Sequence, residues 1–359
     1  MIDQRASDDA IVVGGGVIGL AIAAALAERG VAVTLVSETR AGEASPAAAG
    51  MLAPSVERAP GPAHEFGIAA RDRYPSYIEF LAERTAVKVP LNRLGILQIA
   101  LTDKGIKGLK KSAAPTSRWL DTNELRELEP ALSHGLGAVF NPGDGAVDNT
   151  RLLAALDKLC SASPRITRLS DAVVKIEPRA DSCAVATKSG GRHSARKVVI
   201  AAGAWAGKIS GARYARQVKP ARGQLVSYAV APLRHVVYGP SGYVVPRGEI
   251  TIGGSTMESV GFDTTTTTSG IKKVRAAAEE ICPALASSAT PEAWAGLRPV
   301  TPDMLPILGA DPDHASLIYA CGHSRNGVLM APLTGDLIAD LVTESPLSHD
   351  LSQFRPDRF

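Results

Sequence analysis

The sequence predicts an α/β protein in which strand–turn–helix units from both ends of the chain enclose a stretch dominated by strands. Three observations predict it. An apolar run, Ala10 to Val13, leads into Gly14-Gly15-Gly16-Val17-Ile18-Gly19 and then into a helical pattern. After Gly223 the pattern becomes sheet-rich, and from Leu317 to Val342 a strand, a turn and a helix return.

The first run is short, β-branched and followed by glycines, which marks a buried strand. From Gly16 to Arg29, Ile18, Ile22, Ala25 and Leu26 recur at helical spacing, and Gly30 sits where helices commonly stop. Val33 to Val36 predicts a second strand. A helix is expected between about Ile68 and Thr85, with strands at Gly95–Leu101 and Gly137–Phe140. Asn149 to Cys160 places Leu152, Leu153, Leu156 and Leu159 on one face of a helix, and Val198 to Ala201 reads as a buried strand. Leu225–Val230, a hairpin of Tyr243–Val245 with Ile250–Ile252, and Trp294–Leu297 predict an antiparallel layer. The run Thr264–Ser269 is expected to be a solvated connector before a helix at Ile271–Ile281, with no chemistry of its own. A strand at Leu317–Ala320 and a helix at Asn326–Val342 complete the chain.

At 359 residues the chain has room for about two domains. Because the two styles interleave, the expected division is a nucleotide domain of 8–84, 146–217 and 306–359, with 85–145 and 218–305 forming a substrate domain. Net charge is +3, from 39 basic and 36 acidic residues, which offers no electrostatic case for nucleic acid or an anionic membrane. A small-molecule partner is expected. Cys160, Cys183, Cys282 and Cys321 lack the spacing of a disulfide framework or a zinc site. The first ten residues lack the apolar core of a signal peptide, and no run is long enough to span a membrane, so a cytoplasmic protein is expected.

The glycine run matches GxGxxG at Gly14, Gly16 and Gly19, between a predicted strand and a predicted helix. In a dinucleotide-binding turn the first glycine permits the tight bend, the second admits the pyrophosphate and the third lets helix and strand pack closely. The helix amino terminus then offers free N–H groups and a partial positive charge. The acidic residue that usually receives the ribose hydroxyls is displaced: Ser37 occupies its position and the carboxylate is at Glu38. Either Ser37 makes a weaker contact, or the strand ends early and Glu38 turns back. The loop alone is consistent with FAD or NAD.

Three segments select a flavin: SPAAAGML (Ser45–Leu52), VVIAAGAWAG (Val198–Gly207) and CGHSRNGVLMAPLTG (Cys321–Gly335). With LEPAL at Leu128, DGAVDNTRLL at Asp144, VKPARGQ at Val218, GYVVPR at Gly242 and GLRPVTPDMLPILG at Gly296, the chain resembles the D-amino-acid oxidase superfamily of flavoproteins, most closely the glycine oxidases of thiazole biosynthesis. The resemblance implies a Rossmann-type FAD-binding domain with an inserted α+β substrate domain on a mostly antiparallel sheet. It places Val17 and Ile18 against the diphosphate, and Ser37 and Glu38 near the ribose. Ala44, Ser45, Ala49, Gly50 and Met51 fall along the flavin, Val173 or Val174 at the adenine. His323, Ser324, Arg325, Asn326, Gly327, Val328 and Leu329 pass under the flavin pyrimidine edge, where a helix amino terminus would stabilise negative charge.

An amino-acid oxidase must hold a carboxylate, for which a planar guanidinium is suited. Arg298 is the first candidate. The resemblance adds Arg325, gives the Tyr243 hydroxyl to the same carboxylate and puts Met257 in the pocket lining. No residue is assigned as acid or base, and His323 is expected to be structural. The implied reaction is hydride transfer from substrate Cα to flavin N5, giving an imine, then a 2-oxo acid, ammonia and hydrogen peroxide, with a role in thiamine thiazole synthesis. FAD is expected to be non-covalent, because Met304-Leu305 stands where related sarcosine-type oxidases carry the attaching cysteine. A homo-oligomer is compatible with these expectations. The rival readings are a D-amino-acid dehydrogenase with an acceptor other than oxygen, a flavin-dependent tRNA-modifying enzyme, and a non-catalytic nucleotide-binding module. Few aromatics and near-neutral charge weigh against the RNA reading.

Overall fold

The computed structural model describes residues 8–359. Residues 1–7, on which the expected absence of a signal peptide partly rests, lie outside the described residues.

Strand Asp8–Val13 pairs in parallel with Val33–Ser37 on one side and with Arg192–Ile200 on the other. Ile166–Ser170 and Leu317–Cys321 extend this parallel set, while Val173–Pro178, Cys183–Thr187 and Ile307–Ala310 add antiparallel pairs. Ala10 and Val12 enter a core with helices Val17–Glu28, Asn149–Ala162 and Gly327–Val342. Ile11 and Val13 enter a second core with Val198, Ile200 and Tyr319. A strand covered on both faces must be apolar throughout, which is why this run shows no alternation.

A second eight-stranded sheet runs Ala293–Val300, Lys219–Tyr228, Ile250–Gly254, Tyr243–Arg247, Val236–Tyr238, Ile96–Ile99, Ala138–Asn141, Arg118–Leu120. Its pairs are antiparallel except Val236–Tyr238 with Ile96–Ile99. Helix Thr268–Ile281 covers one face through Val274, Ala278 and Ile281. On the other face Leu225, Val236, Val245 and Ile252 pack against Ala49 and Ala53 of the loop that follows the glycine-turn unit. The α/β class, with an α+β part on a mostly antiparallel sheet, is the one expected.

Two local expectations need correction. The helix expected at about 68–85 is two helices, Pro62–Asp72 and Tyr74–Thr85. Pro75 has no N–H to donate to the preceding turn, so it ends one helix and is tolerated at the start of the next. The threonine run is also not a free connector. Thr267 caps helix Thr268–Ile281 and meets the Gln224 amide, while Arg222, itself buried, donates to Glu258, Asp263 and the Thr265 carbonyl.

Helix Gly327–Val342 contains Pro332, which cannot donate to the carbonyl of Val328 four residues earlier. The hydroxyl of fully buried Tyr74 donates to that carbonyl instead. The pairing explains how a proline is carried in the helix interior. Tyr74→Phe should leave the carbonyl without its side-chain donor and lower stability by about 1–3 kcal/mol, measured by urea unfolding. Unchanged stability would show that the Tyr74 hydroxyl is dispensable to the helix.

Candidate active site

A cavity of about 620 Å³ runs from the end of the second strand, past the glycine loop, to the inner face of the antiparallel sheet. Gly14 has φ +115°, and a Cβ there would lie 2.3 Å from the Ala201 carbonyl oxygen. A Cβ at Gly19 would lie 1.9 Å from the Gly14 carbonyl oxygen. At Gly16 a Cβ would meet only Ser45 Oγ, at 3.1 Å. Chain packing therefore demands the first and third glycines, while the second opens toward the cavity. Val17 and Ile18 line the cavity, and the Val17 N–H donates to Ser45 Oγ at 3.0 Å. Gly19 lies behind the loop rather than in the lining.

At the far end, Ser37 closes the second strand and its Oγ sits beneath Gly15, 2.7 Å from where a Cβ would be. Glu38 faces the rim, where Arg40 and Lys188 hold its carboxylate at 2.9 and 3.1 Å. Those hydrogen bonds, that of Lys188 foremost, hold its carboxyl below the ordinary range. Val173 is buried and Val174 is largely exposed, and both line the cavity.

Residues 44–51 pass along the cavity as a single helical turn, Ala44–Ala47, and a short link into strand Met51–Leu52, and carbonyls at the end of so short a helix need partners from elsewhere. Asn149 Nδ2 donates to Ser45 O at 2.7 Å, Trp294 Nε1 to Ala47 O at 3.0 Å, and Arg247 to Ala49 O at 3.0 Å. Arg247 also donates to Asn149 Oδ1 at 2.6 Å. Gly50, at φ +82°, lies so close to the chain that a Cβ would be 2.0 Å from Val147 O. Ala44, Ser45, Ala49, Gly50 and Met51 all line the cavity. Asn149 and Arg247, from the quoted motifs, and Trp294, from a predicted strand, thus act from behind the wall.

The opposite wall is His323 to Val328. Burial pushes His323 down to about 3, so its ring is neutral at physiological pH and faces Thr334 Oγ1 at 3.3 Å. Ser324 has φ +52° and donates its N–H to Pro299 O at 2.9 Å. No side chain caps helix Gly327–Val342 at Asn326, and the helix opens toward the cavity. Leu329 lies outside the lining, buried among the helices.

Beyond this wall Arg298 and Tyr243 both line the cavity. Arg298 Nη2 donates to Ser255 Oγ at 2.7 Å and Nη1 to Thr256 O at 3.0 Å. Among the described residues it has no carboxylate partner. Arg325 does have one: Glu57, at 3.3 Å. Glu57 also accepts from the Tyr238 hydroxyl at 3.0 Å, and the Tyr238 ring lies 5.6 Å from that of Tyr243. Burial, then the Glu57 charge, pushes the Tyr238 phenol well up, so it stays a donor. Glu57 and Tyr238 escaped the sequence reading because nothing in their neighbourhoods marks a polar residue bound for a distant wall. Met257 is half exposed and lies outside the cavity lining, although the chain on either side of it stays paired with strand Lys219–Tyr228 through Thr256 and Glu258. Among the described residues no cluster of three metal-ligating side chains occurs, and no helix is long and apolar enough to cross a membrane.

The family described as FAD dependent oxidoreductase (DAO) matches residues 9–341. The chain belongs to that family. Relatives of this FAD dependent oxidoreductase include the glycine oxidase of Geobacillus kaustophilus, 34% identical over 363 residues and covering 96% of each chain. A bifunctional ThiO/ThiG protein of Synechocystis sp. is 34% identical over 369 residues, covering 99% of this chain and 55% of that protein. The chain therefore spans about half the length of that bifunctional relative. The crystal structure of glycine oxidase from Geobacillus kaustophilus superposes with a TM-score of 0.90 at 33% identity, covering 98% of this chain and 99% of the other. The geometry of the oxidoreductase fits FAD: an open glycine at Gly16, two helix amino termini turned to one cavity, and a wall braced from behind.

Proposed function

We propose that this flavoenzyme oxidises glycine and comparably small amino acids, giving the 2-oxo acid, ammonia and hydrogen peroxide from substrate, water and oxygen. One observation carries the reading: the Arg298 guanidinium has no carboxylate partner among the described residues and lines the same cavity as Tyr243. Bound FAD supplies a two-electron acceptor for the hydride of the substrate Cα and passes the electrons to oxygen. Arg298 holds the substrate carboxylate by a bidentate pair, with Tyr243 donating a further hydrogen bond. Glu57 holds Arg325 and Tyr238 at the mouth, so Arg325 serves as a secondary contact. No side chain is assigned as a proton carrier: the substrate amine must bind neutral or lose its proton to water before the hydride leaves, and neutral His323 has no part in the step. For glycine the product is glyoxylate, and the imine formed first can instead feed thiazole assembly in thiamine synthesis.

The same reading gives the diphosphate to Gly14–Ile18, the ribose to Glu38 and the adenine to Val173 or Val174. Glu38 is preferred over Ser37 because the Ser37 hydroxyl is tucked beneath Gly15. The two sheets support a division into an FAD-binding domain of 8–84, 146–217 and 306–359 and a substrate domain of 85–145 and 218–305. Full-length likeness to glycine oxidases weighs against the dehydrogenase and RNA readings.

Peroxide release measured across glycine, sarcosine and small D-amino acids tests the substrate class. Flavin bleached by glycine under nitrogen, but reoxidised only by a quinone or dye, would make the enzyme a dehydrogenase. No bleaching by any member of the panel would overturn the reading altogether. The four cysteines are buried, and burial pushes the Cys321 thiol, at the cavity wall, up to about 12. A thiol so protonated is a poor nucleophile. FAD should therefore leave the protein completely on acid precipitation, and yellow colour in the washed pellet would contradict non-covalent attachment.

A further inference from the structure

The antiparallel sheet carries two bare backbone positions under the groups that meet substrate. Strand Lys219–Tyr228 pairs with Ala293–Val300 so that Ala221 lies opposite Arg298 and Gly223 opposite Gly296. Alternation along a strand puts Ala221, Gly223 and Leu225 on one face, so the Arg298 side chain runs diagonally from Ala221 over Gly223. A Cβ on Gly223 would lie 2.0 Å from Arg298 Nη1 and 2.4 Å from its Cζ and Nη2. Strand Ile250–Gly254 places Gly254 directly opposite Tyr243, and a Cβ there would lie 2.5 Å from both the Tyr243 Cζ and its hydroxyl oxygen. Gly254 also stands opposite Leu225, so the two glycines lie on neighbouring strands.

Backbone φ does not call for glycine at either position, since neither belongs among the positive-φ glycines, although the peptide bond from Gly254 to Ser255 is cis. Nor does an obstructing main chain explain them. The nearest atoms to either absent Cβ are the far ends of Arg298 and Tyr243. In strands glycine costs stability relative to a β-branched residue, so a role is called for.

We propose that Gly223 and Gly254 are positioning residues for the substrate carboxylate: they form a flat seat on which the guanidinium and the phenol lie against the sheet. The seat sets their depth in the cavity, and Ser255 and Thr256 fix the rotation of the guanidinium from one edge. A methyl group at Gly223 lifts the guanidinium off the strand and breaks its in-plane alignment with a carboxylate. The charge stays in the cavity while the fork is lost. The proposal rests on the reading of Arg298 as the carboxylate clamp.

The test uses the FAD-loaded enzyme with Gly223→Ala, Gly254→Ala, Arg298→Met, Tyr243→Phe and the double variants Gly223→Ala/Arg298→Met and Gly254→Ala/Tyr243→Phe. Glycine kinetics are read by peroxide release, and acetate is titrated against the flavin absorbance as a probe of the carboxylate site alone. Gly223→Ala is expected to keep its full FAD content, raise the glycine KM and the acetate Kd at least tenfold, and alter kcat much less. Added to Arg298→Met it should change neither constant by more than twofold, because the group it displaces is gone; Gly254→Ala should behave likewise on Tyr243→Phe. A KM and acetate Kd within twofold of the parent in both glycine variants overturns the proposal. So does an equal loss with and without Arg298 or Tyr243, which would mark general damage to the sheet. Should Arg298→Met leave the glycine KM unchanged, the clamp reading itself falls, a result distinct from failure of the glycine variants alone.

Discussion

Arg298→Lys is expected to lower kcat/KM for glycine roughly 10- to 150-fold, through KM, while the enzyme keeps its FAD. The magnitude corresponds to about 1.5–3 kcal/mol, the worth of a hydrogen bond to a charged group. Lysine retains the charge, so what is removed is the planar fork that meets both carboxylate oxygens. Cofactor retention follows from position: the guanidinium is held by Ser255 and Thr256, just past the end of strand Ile250–Gly254, not by the glycine loop or the 44–51 wall. Steady-state kinetics with a flavin-to-protein ratio decide the matter. Unaltered glycine kinetics would place the clamp elsewhere, and loss of flavin would mean that Arg298 supports the cofactor rather than the substrate.

Gly19→Ala is expected to cost both stability and cofactor. Its Cβ would fall 1.9 Å from the Gly14 carbonyl oxygen, which is main chain and cannot swing aside. The helix Val17–Glu28 must then move away from the strand end, and overpacking of this kind costs about 1–3 kcal/mol or more. The first-turn N–H groups move with it, so FAD affinity should drop roughly 10- to 100-fold. Gly16→Ala is the informative contrast. Its φ of −76° suits any residue and its Cβ would meet only Ser45 Oγ, so the FAD-free protein should melt nearly as the parent does while FAD binding weakens. Thermal melts with and without FAD, together with flavin titration, separate the two. Equal losses in both variants would refute the assignment of different tasks to the two glycines.

What the sequence made legible was whatever has a local period or a local turn. The glycine loop, its flanking strand and helix, and the hairpin of Tyr243–Arg247 with Ile250–Gly254 were legible because each is specified by neighbours in sequence. Arg298 was reached from chemistry, since a carboxylate needs a fork. Glu57 was not legible: its partners Arg325 and Tyr238 come from other strands and turns, and no spacing links three residues brought together only by the fold. The bracing of the 44–51 wall was hidden for the same reason, although Asn149, Arg247 and Trp294 all lay in recognisable segments. Met257 shows the converse failure, in which a position carried over by resemblance has a half-exposed side chain outside the cavity lining.

The split nucleotide sheet also fixes an order of events during synthesis. Helix Val17–Glu28 is made about 300 residues before a main partner, helix Gly327–Val342, which approaches so closely that a Cβ at Gly335 would be 2.9 Å from the Ala21 carbonyl oxygen. Until that late segment leaves the ribosome, the early helix keeps an apolar flank uncovered and the wall from His323 to Val328 does not exist. The glycine loop becomes a complete cofactor site only once that later segment has joined it. Contacts of such long range make assembly slow. FAD, which needs both walls, then favours by mass action the form in which the early and late segments are packed together.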